Sequence, residues 1–112
     1  MKVFAIIVCA LFAGSAIPAS ASDADWAYIS YPFAMSNGAV LFNTAGARGT
    51  PPACGAGLTL RYAINASTLI GQSQLSVLMT AWSMHKRVYV HGSGGCSIWG
   101  DTETADWIAA EN

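Results

Sequence analysis

Leu58-Thr59-Leu60-Arg61-Tyr62-Ala63-Ile64-Asn65-Ala66-Ser67-Thr68 is the stretch where the chain changes period. Up to Ile64, the apolar Leu58, Leu60, Tyr62 and Ile64 alternate with Thr59, Arg61 and Ala63, as in a strand with one buried face. Beyond Thr68 the spacing of Leu75, Leu78, Met79 and Trp82 becomes that of a buried helical stripe. Ser67 is placed to cap it, and one amphipathic helix is predicted over 68–84. Lys86 and Arg87 stand at its end, where positive charge complements the helix dipole, and His85 beside them fits a capping role. Asn65-Ala66-Ser67 also has the pattern of a glycosylation acceptor, but the cap explains the same residues.

Strand signals lie on both sides of this unit. Asp25 to Ser30 alternates Trp26, Tyr28 and Ser30 against Ala27 and Ile29, and Pro32 is expected to end it. Ser36-Asn37-Gly38 is a turn signal, and Ala39 to Asn43 reads as a returning strand. Ala45 to Ala53 holds Gly46, Gly49, Pro51 and Pro52 and reads as a loop. After the helix, Val88 and Val90 share one face with Tyr89 and His91 on the other. Ser93-Gly94-Gly95 turns the chain, and Cys96 to Trp99 is the expected partner strand. Gly100 to Thr104 reads as a polar turn, and Asp106 to Ala109 as a last short strand or helical turn in which Trp107 and Ile108 pack. Glu111 and Asn112 are expected to fray. Strands around one helix indicate an α+β fold: a small antiparallel sheet or OB-like open barrel with one packed helix.

The amino-terminal residues 1–21 read as a cleaved secretory leader. Lys2 gives a positive start, Val3 to Phe12 an apolar run, Gly14 and Pro18 break it, and Ala19-Ser20-Ala21 fits the small-residue cleavage rule before Ser22. The apolar run is about ten residues, against the roughly 20 that span a bilayer, and no later stretch approaches that length. Residues 22–112 then form a single small domain. The leader also removes Cys9, so Cys54 and Cys96 remain as one expected disulfide in an exported chain. No cofactor or metal site is expected, since no histidine lies near Cys54.

The run from Cys54 through Leu58-Thr59-Leu60-Arg61-Tyr62-Ala63, the helix with Leu75, Leu78 and Ala81, Val88-Tyr89-Val90-His91 and Cys96 resembles the binding subunits of AB5-type toxins. It is also similar to small bacterial exported proteins with a cysteine and a Trp-Gly-Asp turn, here Cys96-Ser97-Ile98-Trp99-Gly100-Asp101. The resemblance covers about half of the mature chain. It implies an OB-like barrel, often pentameric, with a glycan-binding face, and carries over no sugar-binding residue.

Charge and chemistry narrow the remaining classes. Arg48, Arg61, Lys86 and Arg87 face Asp23, Asp25, Asp101, Glu103, Asp106 and Glu111, a balance that disfavours nucleic acid. Asp101, Glu103 and Asp106 lack the ordered oxygen set of a calcium loop and read as a solvated turn. His91 with Ser97 and Asp101 offers the residue types of a small hydrolase, but no nucleophile motif flanks them. Aromatic residues of a small domain belong to the core more often than to a site, and Trp82 falls in the helical core stripe. Trp26 and Trp99 lie on strands near turns, and a binding face is expected from Trp26, Tyr28, Arg61, Tyr89 and Trp99, which join aromatic rings to one fixed donor. The expected function is an exported, non-enzymatic binding module for glycan or protein, with self-association allowed. A periplasmic structural or assembly protein is the alternative, and a hydrolase using His91 a further one.

Overall fold

A computed structural model describes residues 22–112; the predicted leader, with Cys9, lies outside the described residues. Six strands and one helix follow each other as β1 (Asp23–Ala27), β2 (Ile29–Ala34), β3 (Ala39–Thr44), β4 (Arg61–Asn65), α1 (Leu69–Ser83), β5 (Val88–Gly92) and β6 (Glu103–Ala110). The fold is α+β, a mixed open sheet with the helix packed on β4 and β6. The strand order is β1-β5-β6-β4-β3-β2, antiparallel throughout except for β4 beside β6.

The two edge strands are consecutive in the chain, joined only by Tyr28. A flat sheet could not place both ends of one residue at its opposite edges, so the sheet must curl. With β1 and β2 taken as halves of one bent strand, that strand pairs with both the second and the fourth, and the third runs parallel to the fifth. This is the connectivity of an OB-like open barrel. The outer edge of β1 is covered: Asp25 N–H donates to the Ala47 carbonyl and Gly49 N–H to that of Asp23, each at 3.0 Å.

Inside the curl, Phe42, Tyr62, Ile64, Leu78, Val88 and Val90 are buried. Val88 and Val90 face inward as their alternation requires, with Tyr89 and His91 outward. The helix approaches β4 closely at Gly71, where any Cβ would overlap the Asn65 carbonyl. Thr68, not Ser67, is the N-cap, its hydroxyl accepting from Gly71 N–H at 3.0 Å; Ser67 instead closes a turn on the Asn65 side chain. At the other end no basic residue enters the last turn. His85 adopts a left-handed φ of 53°, and Lys86 N–H closes the turn on the Ala81 carbonyl at 2.8 Å.

Several boundaries differ from expectation for identifiable reasons. Pro32 lies within β2 because that strand is an edge, where a missing N–H is tolerated, and a register shift between Ser30 and Phe33 absorbs it. The alternation from Leu58 continues into an exposed turn, so β4 begins only at Arg61. The helix buries Gly71, Leu78 and Ala81, whereas Met79 and Trp82 face outward. Cys96 to Trp99 forms no strand; β5 pairs with β6, which begins inside the predicted polar turn. Glu111 is tethered, accepting from Arg87 N–H and Nε at 2.8 Å.

Glu103 opens β6 and is fully buried. Arg48, its side chain only 6% exposed, reaches it with Nη2 at 2.7 Å from Oε1 and lies 4.0 Å over the Tyr62 ring. Nearby, Cys54 and Cys96 form the expected disulfide, with a Cα separation of 6.2 Å, joining the β3–β4 loop to the β5–β6 loop. Closing a loop of this length contributes about 3 to 4 kcal/mol on the chain-entropy view. Replacing both cysteines by serine is expected to lower the unfolding free energy by about that amount in urea titration, with the β-sheet circular dichroism retained. An unchanged midpoint would contradict the stapling role.

Candidate functional site

Outward-facing residues of β1, β5 and β6 build one continuous aromatic row. Trp26 on β1 stands 5.8 Å from Tyr89 on β5, the rings tilted by 56°. Tyr89 in turn stacks on Trp107 of β6 at 5.5 Å and 19°, and Trp107 on His91 at 5.2 Å and 17°. The register makes this necessary: His91 is directly opposite Trp107, and Tyr89 follows two positions earlier on the same face of β5. Trp26 and Trp107 remain 40% and 45% exposed, so the row is open to solvent.

Carboxylates fix its polar side. The Tyr89 hydroxyl donates to Asp23 Oδ2 at 2.6 Å, and His91 Nδ1 lies 2.6 Å from Asp23 Oδ1. On the other flank, Asp106 Oδ2 is 3.9 Å from His91 Nε2. The Tyr89 bond is the main cause that holds the Asp23 carboxyl below its ordinary value, with desolvation opposing and His91 adding to the effect. The same bond raises the Tyr89 phenol. The row thus offers apolar ring surface beside oriented hydrogen-bond acceptors, the elements that position a ligand carrying both C–H faces and hydroxyl donors.

Of the five residues expected at a binding face, Trp26 and Tyr89 are brought together here. Tyr28 stacks instead on His85, at 4.2 Å and 6°. Arg61 serves the 99–102 turn, with Nε donating to Thr102 Oγ1 at 2.8 Å and Nη2 to Asp101 Oδ1 at 2.7 Å. Trp99 is half-buried in the same turn, in an isolated bridge to Thr102. Arg61 and Asn43 also line a shallow cleft of about 270 Å³ with residues 57–60. Trp107 and His91 of the row, and Asp23 beside it, lie outside that expected set. The sequence predicts packing for Trp107 and Ile108, yet only Ile108 packs against the core. In the sequence Asp23 stands out only as a charge. Both depend on strand partners distant in sequence, which local patterning does not reveal.

The other chemical combinations separate. Ser97 shares a hydrogen bond with Thr104 and Asp101 pairs with Arg61, while His91 turns to Asp23. Asp101, Glu103 and Asp106 have different partners, and among the described residues no group of three or more side chains is placed to hold a metal ion. No described helix is long and apolar enough to cross a membrane. The disulfide is consistent with an oxidising, extracytoplasmic compartment. The fold and site define a small, disulfide-stapled α+β domain with an exposed aromatic face. The chain matches no protein-family model, and no significant similarity to a curated protein or a solved structure is found.

The Asp23 clamp has a definite pH signature. Because the folded carboxyl titrates below its ordinary 3.8, its contribution is complete above that value and is lost as the pH falls through the lower folded value. In an NMR acid titration, the Asp23 carboxyl is expected to show a midpoint below 3.8. Asp23→Asn should bring the Tyr89 phenol back towards 10.0. A normal Asp23 midpoint would show that the clamp does not persist in solution.

Proposed function

We propose that this chain is an exported, non-enzymatic binding module that recognises glycan through the outer face of β1, β5 and β6, in the manner of a toxin binding subunit. The observation that carries the reading is the row Trp26, Tyr89, Trp107 and His91, stacked on one another yet left open, with Asp23 and Asp106 beside it. Sugar rings present C–H faces that lie on aromatic rings, and hydroxyls that donate to carboxylates. An OB-like barrel is also an architecture that holds oligosaccharides on its strand surface and loops. Export rests on the leader-like residues 1–21 and is supported by the disulfide.

A second feature favours association. Pro32, Phe33, Ala34, Val40, Leu75 and Met79 line an apolar groove of about 210 Å³, and Leu69 and Ile70 on the helix are largely exposed. Such a surface supports a homo-oligomer, and equally the alternative role of an envelope structural or assembly protein.

A glycan array with the exported protein is expected to give selective binding, weakened about tenfold or more by Trp107→Ala and by Trp26→Ala. Arg61→Ala and Trp99→Ala test the cleft and the 99–102 turn separately. A blank array, or binding lost only in the latter pair, would overturn the proposed glycan face. Light scattering on the same preparation reports association, with a multimer expected; a strict monomer contradicts self-association through the groove.

A further inference from the structure

Ser22 is held more tightly than a residue leading into an edge strand requires. It is fully buried. Its main-chain N–H donates to Glu103 Oε2 at 3.1 Å, and its hydroxyl donates to Glu103 Oε1 while accepting from Arg48 Nε at 2.8 Å. Its carbonyl accepts from the Tyr62 hydroxyl at 2.7 Å and from Gly92 N–H at 3.0 Å. Gly94 N–H adds a bond to Glu103 Oε2 at 2.9 Å. The space is cut to fit: any Cβ on Gly92 would overlap both the Glu103 carboxylate and the Ser22 carbonyl. The nitrogen placed against this buried acid is the one that cleavage after Ala19-Ser20-Ala21 would set free.

We propose that the pocket of Glu103, Arg48, Tyr62, Gly92 and Gly94 is a binding site for the mature amino terminus, which docks as an α-ammonium on the Glu103 carboxylate. The inference rests on the reading of residues 1–21 as a cleaved leader. A signal peptidase hydrolyses the Ala21–Ser22 bond: water supplies hydroxyl to the Ala21 carbonyl carbon, the C–N bond breaks, and the Ser22 nitrogen leaves as an amine that takes up a proton. That nitrogen had one N–H and no charge in the precursor; it now has three and a positive charge, facing a carboxylate shielded from water. A charge-assisted bond therefore replaces a neutral one. Arg48 shares the same carboxylate, but its Nη1 is also bound to the Thr59 and Arg61 carbonyls and its face lies on Tyr62, which spreads its charge away from the new terminus.

The amine count makes the test clean, because only Ser22 and Lys86 would carry amines in a chain beginning at Ser22. The full precursor is exported, the product's intact mass is measured, and the native protein is treated with an acetylating N-hydroxysuccinimide ester. Expected are a product beginning at Ser22 and a Ser22 amine that reacts at least about tenfold more slowly than in the urea-unfolded chain, with Lys86 as internal control. Glu103→Gln should raise the native rate at Ser22. A glycine inserted between Ala21 and Ser22 keeps Glu103 intact and should give a reactive amine and a lower Tm. A Ser22 amine that reacts equally fast folded and unfolded would overturn the docking alone. A product with a different first residue would overturn the cleavage reading and the docking with it.

Discussion

The buried pair of Arg48 and Glu103 is the interaction on which the remainder of the domain depends. A carboxylate withdrawn from water is tolerated only when its lone pairs are satisfied and an opposite charge is near. Glu103 receives Arg48, Ser22 and Gly94, and no buried side-chain nitrogen or oxygen among the described residues lacks a partner. The guanidinium reaches further, to the carbonyls of Thr59 and Arg61 and to the Tyr62 ring. One charged side chain on the β3–β4 loop thereby ties together the start of β1, the entry to β4 and the start of β6. Removing one partner of such a pair costs about 3 to 5 kcal/mol, because the other is left charged and buried. For a domain of this size that is a large part of its total stability.

The aromatic face inherits its geometry from this tie. Trp26 comes from β1, Tyr89 and His91 from β5, and Trp107 from β6, so the rings stack only while β1 remains seated against β5. Ser22 precedes β1 directly, and its carbonyl is shared between Tyr62 and Gly92 of β5. On the outer face, Asp23 continues the same strand and grips Tyr89 and His91. The inner ion pair and the outer clamp thus act on adjacent residues, Ser22 and Asp23, at the start of β1. The disulfide works elsewhere, joining the two long loops.

Local chemistry made much of the fold legible. The change of period around Asn65 located the passage from strand to helix, the alternation around Val88 placed the correct residues inside, and the cysteine pair was readable once Cys9 was assigned to a leader. What escaped was set by long-range pairing. The inward positions of β6 begin with Glu103 and Ala105, an acid and a small residue, so its start reads as a polar turn unless Arg48 is known to be opposite. Leu58 and Leu60 extend an alternation past the end of the sheet, and Trp82 extends a helical stripe past the surface it covers. At the site, Trp26 and Tyr89 carried a signal of their own. Trp107 acquired a role only through its register with His91, and Asp23 only through the curl that brings β1 beside β5.

The central claim is that the Glu103 carboxylate seats β1 and, through it, the aromatic face. Amide hydrogen exchange of Glu103→Gln, compared with the unaltered protein under native conditions, tests this most directly. The account predicts that exchange rises first and most in β1 and at the β5 amides paired with it, and less in β3 and β4. Uniform loss of protection across the sheet, or none at β1, would contradict it.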